Sequence, residues 1–194
     1  MLRYVCIAII VLLTACQSDD RVREANPEES QPTAVRSFNP GSLVGHHYFM
    51  DEQHSYLGFK IKYFGYSPVR GRFDVFDGTL FYDPEYPAAT SATVFIDVSS
   101  IHTGQERRDE DLLREDTWFD AVDHPYISFY STEAIPYENG SFDLIGEITV
   151  KGISRMDTLS FDRPTDISRD WAENEQVDFS GKMTIDRQDF EVFG

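Results

Sequence analysis

The sequence predicts an all-β domain, an antiparallel sandwich or barrel, with one short helix inserted near residues 104–116. Three observations carry that class. Apolar residues recur with a period of two in successive segments between residues 57 and 185. Turn-forming pairs such as Asp77-Gly78 and Asn139-Gly140 separate those segments. One stretch alone departs from alternation and carries helical cap and charge spacing.

The elements follow in chain order. Leu57, Phe59, Ile61 and Tyr63 alternate with Gly58, Lys60, Lys62 and Phe64, which gives a strand with one apolar face. "SPVRG" turns the chain, and Val69, Gly71, Phe73 and Val75 resume the pattern. Leu80 and Tyr82 return out of phase, predicting a bulge near Asp77-Gly78. Ala92, Val94, Ile96 and Val98 form the next strand. Ile127, Phe129 and Ser131 precede Phe142, Leu144, Gly146, Ile148 and Val150, and "YENG" reads as the tight hairpin between them. Strands over 156–161 and 177–185 complete the set. Fifteen Phe and ten Tyr exceed what a small filled core needs. A barrel around an elongated apolar cavity would use them; a sandwich with exposed aromatic edges is the alternative.

The inserted helix lies in "SIHTGQERRDEDLLREDTWFDAVDHPYISFYST", residues 100–132. Thr103 and Glu106 have capping-box spacing, and Glu110 precedes Arg114 by four. Leu112, Leu113 and Phe119 supply an apolar side. Arg107 or Arg108 is expected to bridge a carboxylate such as Asp109 or Asp97 and brace the helix against the sheet. His102 and His124 sit among these acids, yet the acids are expected on a solvated surface helix rather than in a catalytic cleft. No Gly-x-Ser-x-Gly, His-Glu-x-x-His or phosphate-cradling glycine loop occurs in the chain. The expectation is therefore a protein that is not an enzyme.

The N-terminus indicates the compartment. Arg3 precedes the apolar run Val5 to Leu13, too short to span a bilayer comfortably, and "LLTAC" ends it. That order resembles the bacterial lipobox. It implies a signal peptide over residues 1–15, lipidation at Cys16, and a protein lipid-anchored in the cell envelope. Gln17 in place of Asp favours the outer membrane, facing the periplasm. Cys6 leaves with the leader and Cys16 is acylated, so no thiol remains for a disulfide, a soft metal or a nucleophile. Residues 16–45, polar and with three prolines after Cys16, read as a disordered tether, leaving 46–194 as one domain. The net charge is −17, and loss of the single +1 of Arg3 makes it −18. Such acidity argues against nucleic acid as a partner.

Four ordered blocks of this sequence resemble the YceI-like family. They are "MDEQHSYLGFKIKYFGYSPVRGRFDVFDGTL", the helix-bearing stretch quoted above, "LIGEITVKGIS" and "IDRQDFEV". The resemblance implies a lipocalin-like antiparallel barrel whose interior holds an isoprenoid or quinone-like lipid, with no catalytic residues. On that reading the cavity is lined by Leu57, Phe59, Ile61, Tyr63, Phe73, Leu80, Val94, Ile96, Phe129, Phe142, Leu144 and Ile148. Thr103, Arg107, Arg108, Asp109, Leu112, Leu113 and Phe119 form its lid and brace. The competing reading is a structural or interaction module filled by its own side chains. Tyr63 stands where the family often has an inward His, and Glu191 replaces a family Gly. The family also continues into one more strand beyond Gly194, so the barrel is expected to be open at one seam, where a second chain could pair as a homodimer. No metal site is expected: His46, His47 and His54 lie near Asp51 and Glu52, but their spacing matches no known site.

Overall fold

The computed structural model describes residues 3–13, 46–63, 67–115 and 117–193, with side chains described from residue 46 onward except at 62, 63 and 67. Cys16 and the expected tether lie outside the described residues. Among the described residues no helix is long and apolar enough to cross a membrane.

The architecture is a mostly antiparallel sheet carrying one short helix. β1 spans Arg3–Leu13. β2 (His46–Met50) and β3 (Tyr56–Tyr63) form one interrupted strand, hairpinned onto β4 (Ser67–Phe73) and β5 (Phe76–Tyr82). β6 (Ser91–Asp97) and β7 (Ile101–His102) return along β5 and β4. After α1 (Glu106–Leu112), β8 (Tyr126–Pro136) pairs with β6. β9 (Phe142–Val150) and β10 (Ile153–Phe161) then follow as a meander. Short β11 (Ser168–Arg169) and long β12 (Glu175–Ile185) complete the set, and β12 also pairs with β10.

The sequence pattern and the burial agree closely along β9, where Phe142, Leu144, Gly146, Ile148 and Val150 are buried in alternation. The Asn139-Gly140 turn closes as expected: the Gly140 amide donates to the Tyr137 carbonyl at 3.0 Å, and Gly140 has a φ of +84°. The phase change in the second strand is misplaced by the sequence. It occurs at Asp74–Val75, between β4 and β5, where both residues are exposed. Gly78 instead lies inside β5, and a Cβ there would come within 2.7 Å of the Thr93 carbonyl oxygen. The glycine serves close strand approach, which sequence alone cannot separate from a bulge. A register shift does occur in β8, between Ser131 and Glu133.

The open seam expected from the sequence is occupied. β1 pairs in parallel with β12 along all eleven of its residues and, on its other side, with β2 and β3. Successive pairings therefore return to their starting point. Six antiparallel pairings join the seven strands from β12 to β2, and an even number of reversals leaves both edges running the same way, so a single strand between them is parallel to both or antiparallel to both. β1 takes the parallel option, which is slightly weaker per residue but satisfies both rows of edge groups.

The inward faces form one continuous apolar core. Near the β8–β9 hairpin it ends in four packed rings. Phe142 stacks on Phe161 with centroids 4.9 Å apart and lies near-parallel to Tyr82 at 6.4 Å, while Phe179 meets all three edge-on. At the opposite end α1 and the segment after β12 cover the core.

Candidate functional site

The expected brace forms, with different partners. Gly104 has a φ of +78° and turns Thr103 toward the helix. Asp109, with a side chain 16% exposed, accepts hydrogen bonds from both the amide (2.9 Å) and the hydroxyl of Thr103. Arg108 donates from Nε to the Thr103 hydroxyl at 2.8 Å and from Nη2 to its carbonyl at 3.0 Å. His102 Nδ1 lies 3.7 Å from Asp109. The predicted arginine–carboxylate bridge is thus replaced by a neutral threonine gripped from two sides. Asp97 is committed elsewhere, accepting from the Ser99 amide and hydroxyl, and Arg107 is exposed. Nor is Thr103 the helix cap. Gln105 holds that position without a side-chain cap bond, while the Thr103 hydroxyl donates to Asp109. Arg114 pairs with Asp111 at 3.1 Å rather than with Glu110.

Below this brace the apolar side chains converge. Leu112 and Phe119 are buried, and Leu113 packs against the core. The Phe119 amide donates to the Leu112 carbonyl at 3.1 Å, and its ring meets Phe73 edge-on at 6.4 Å. The C-terminal segment locks the other side. The Phe193 amide donates to the Thr117 carbonyl at 2.8 Å, and Lys151 Nζ donates to the Glu191 carbonyl at 3.1 Å. Glu191 occupies the left-handed region, φ 56° and ψ 32°. That is the physical reason a glycine suits the position, and this chain holds a side chain there against the steric preference.

The space under the lid is a small, partly open cavity of about 50 Å³. Leu57, Phe59, Phe73, Ile96 and Ile148, all expected as lining, border it, as does Phe119 of the lid. Leu80, Val94, Phe129, Phe142 and Leu144 are buried in the same core but away from this cavity. Ile61 is half-buried, and the Tyr63 side chain lies outside the described residues. Sequence reasoning missed Ile127, Val150, Ile185, Phe190 and Val192 as lining. The first three continue the inward faces of recognised strands and could have been read from them. Phe190 and Val192 lie in irregular chain after β12, where no period marks an inward side chain. Arg187 runs along the cavity with its guanidinium turned to the Val192 carbonyl and 6.0 Å from the Trp118 ring. Burial pushes its pKa below the ordinary arginine value, with Asp186 opposing.

The opposite end carries an open groove of about 620 Å³ between the loops 83–89, 137–141 and 163–167. Tyr82 and Phe142 lie at its base. Burial raises the Tyr82 phenol; Arg163 works against that shift and Asp83 adds to it.

The histidines diverge. His54 pairs with Asp51 at 2.8 Å, His46 with Glu175 at 3.1 Å, and His47 packs on Phe81. Among the described residues no three His, Cys, Asp or Glu side chains group to hold a metal.

Residues 48–194 match the YceI-like domain. This chain belongs to the YceI-like family. It is 30% identical over 154 residues to a UPF0312 protein of Pectobacterium atrosepticum, covering 78% of this chain and 79% of that one. It is 33% identical over 124 residues to protein YceI of Escherichia coli, spanning 64% of that protein's length and 63% of its own. Among solved structures, BcnA of Burkholderia cenocepacia superposes with a TM-score of 0.64 at 26% identity, over 73% of this chain and 84% of that one. The YCEI protein of Campylobacter jejuni gives 0.58 at 27% identity, over 72% and 81%.

Proposed function

We propose that this YceI-like domain binds a long, largely apolar lipid of the isoprenoid or quinone class in its interior. It carries or shelters that lipid in the cell envelope, without catalysing a reaction and without a further cofactor. The observation that carries the reading is the cavity beneath α1, bordered by apolar side chains from several strands and by Phe119 of the braced lid. Each buried methylene contributes about 0.8 kcal/mol, so a prenyl chain has ample driving force to enter such surroundings. Membership of the YceI-like family supports the same reading. In this proposal residues 1–15 are removed and Cys16 anchors the protein to the outer membrane, on the periplasmic side, through its own lipid; the mature domain then lacks β1 and is open between β12 and β3.

A cavity of about 50 Å³ holds little more than water-sized molecules. Binding therefore requires the core to widen, by rotation of its rings or by movement of a strand. The same number favours a second reading, a module filled by its own side chains. The two separate in a thermal melt with an added prenyl alcohol. A ligand at a hundredfold its Kd stabilises by about 2.7 kcal/mol, a rise of roughly 5–10 °C for a domain of this size. A melt indifferent to every prenyl alcohol tried supports the filled module.

A further inference from the structure

The two ends of the core differ in a way that assigns them different tasks. At the α1 end, Leu112, Phe119, Phe190 and Val192 are all buried, and the Phe193–Thr117 hydrogen bond ties the C-terminal segment to the lid. At the other end the groove of about 620 Å³ is within the usual range for a small-molecule site. Pro84, Pro87, Pro136 and Pro164 are among its walls, and their fixed φ angles restrict how those loops can rearrange. Its base is continuous with the core, because Phe142 borders the groove and is also 1% exposed within the apolar cluster. Tyr82, Phe142, Phe161 and Phe179 thus stand between groove and interior as a ring cluster. Along β9, Phe142 at this base and Ile148 at the lid cavity are six residues apart, about 20 Å of strand.

The charge at the groove also discriminates. Glu138, Asp166 and Arg163 line it, and Arg163 lies 4.0 Å from Asp166. Asp83, buried just below, adds a further acid beside Tyr82. One cation against these acids leaves the mouth negative, so an anionic head would meet like charge there. The Ser141 hydroxyl is committed to Asn139 Oδ1, but the Tyr82 hydroxyl, the Asn139 side-chain NH2 and the Thr165 hydroxyl proton can donate to an uncharged oxygen instead.

We infer that the proline-walled groove is the port of the lipid site and seats an uncharged, hydrogen-bonding head such as a hydroxyl or carbonyl. The tail passes between the four rings toward the lid. This rests on the interior-lipid reading and adds its direction and head-group class.

The test uses the full chain with all-trans-retinol and retinoate, fluorescent probes that share one tail. Asp166→Trp obstructs the groove from an exposed position; Val122→Trp adds the same bulk at the exposed surface of the lid end. Stopped-flow uptake of retinol is expected to slow about tenfold with Asp166→Trp and to stay within about twofold with Val122→Trp. At equilibrium, retinol is expected to bind about fivefold tighter than retinoate, a gap that Glu138→Gln with Asp166→Asn closes. Slowing by Val122→Trp alone, or unaltered uptake by both variants, overturns the port. Retinoate binding as well as retinol overturns the head-group assignment while leaving the interior site intact. If neither probe binds the unaltered chain, the interior-lipid reading fails and the port with it.

Discussion

Removing the Asp109 carboxylate is expected to loosen the lid. In Asp109→Ala the Thr103 amide and hydroxyl lose their acceptor, and Arg108 is left gripping an unanchored residue. The Asp109 side chain is only 16% exposed, so water replaces these bonds poorly. Hydrogen bonds to an ionised acceptor contribute about 1.5–3 kcal/mol, which sets the expected loss at about 2–3 kcal/mol for the site. That is less than the roughly 3–5 kcal/mol for breaking a buried ion pair, because the partner here is a neutral threonine. For a domain of this size the melting temperature should fall by about 5–10 °C. Thr103→Val should remove much of the same free energy, and the double variant should be less destabilised than the two losses added together. Arg107→Ala, at an exposed site, should change stability by no more than about 0.5 kcal/mol. Equilibrium urea unfolding of the parent and the four variants decides it. An Asp109→Ala variant within about 0.5 kcal/mol of the parent, or strictly additive losses with Thr103→Val, would show that the brace does not hold the lid.

Three further outcomes are expected. Glu191→Gly should stabilise the domain by about 1 kcal/mol, since it relieves a left-handed conformation at an exposed side chain; differential scanning calorimetry reads the change. Phe142→Ala removes the ring at the centre of the aromatic cluster and should cost about 3–5 kcal/mol in denaturant unfolding. Burial pushes the Asp51 carboxyl upward, but hydrogen bonds from His54 and the Gln53 amide, with the charge of His54, hold it below 3.8 overall. A depressed folded pKa gives stability that is present above the unfolded value and lost as pH falls through the folded one. The stability advantage of the parent over Asp51→Asn should therefore shrink on acidification from about pH 5 to pH 2. An advantage that stays constant over that range would contradict the assignment.

Much of the strand framework is legible in the sequence because inward and outward residues alternate at the surface of a core. β9 shows why: five apolar or glycine positions at a strict period of two leave only one register that buries them. The lid was legible as a helix but not in its bonding. Spacing alone suggested an arginine–carboxylate pair, whereas Gly104 turns Thr103 back into the first turn and makes it the shared partner. Phe190 and Val192 were invisible as lining because irregular chain has no period. The seam shows a further limit. An apolar β-branched run reads equally as a leader or as a strand, and here Arg3–Leu13 satisfies both edges of β12 and β3.

The central claim concerns what the interior holds, and solvent extraction of the purified, natively expressed protein followed by mass spectrometry tests it most directly. The account predicts a near-stoichiometric isoprenoid or quinone-class lipid with an uncharged head. Protein that yields no lipid, and whose melting is unmoved by added prenyl alcohols, would contradict it.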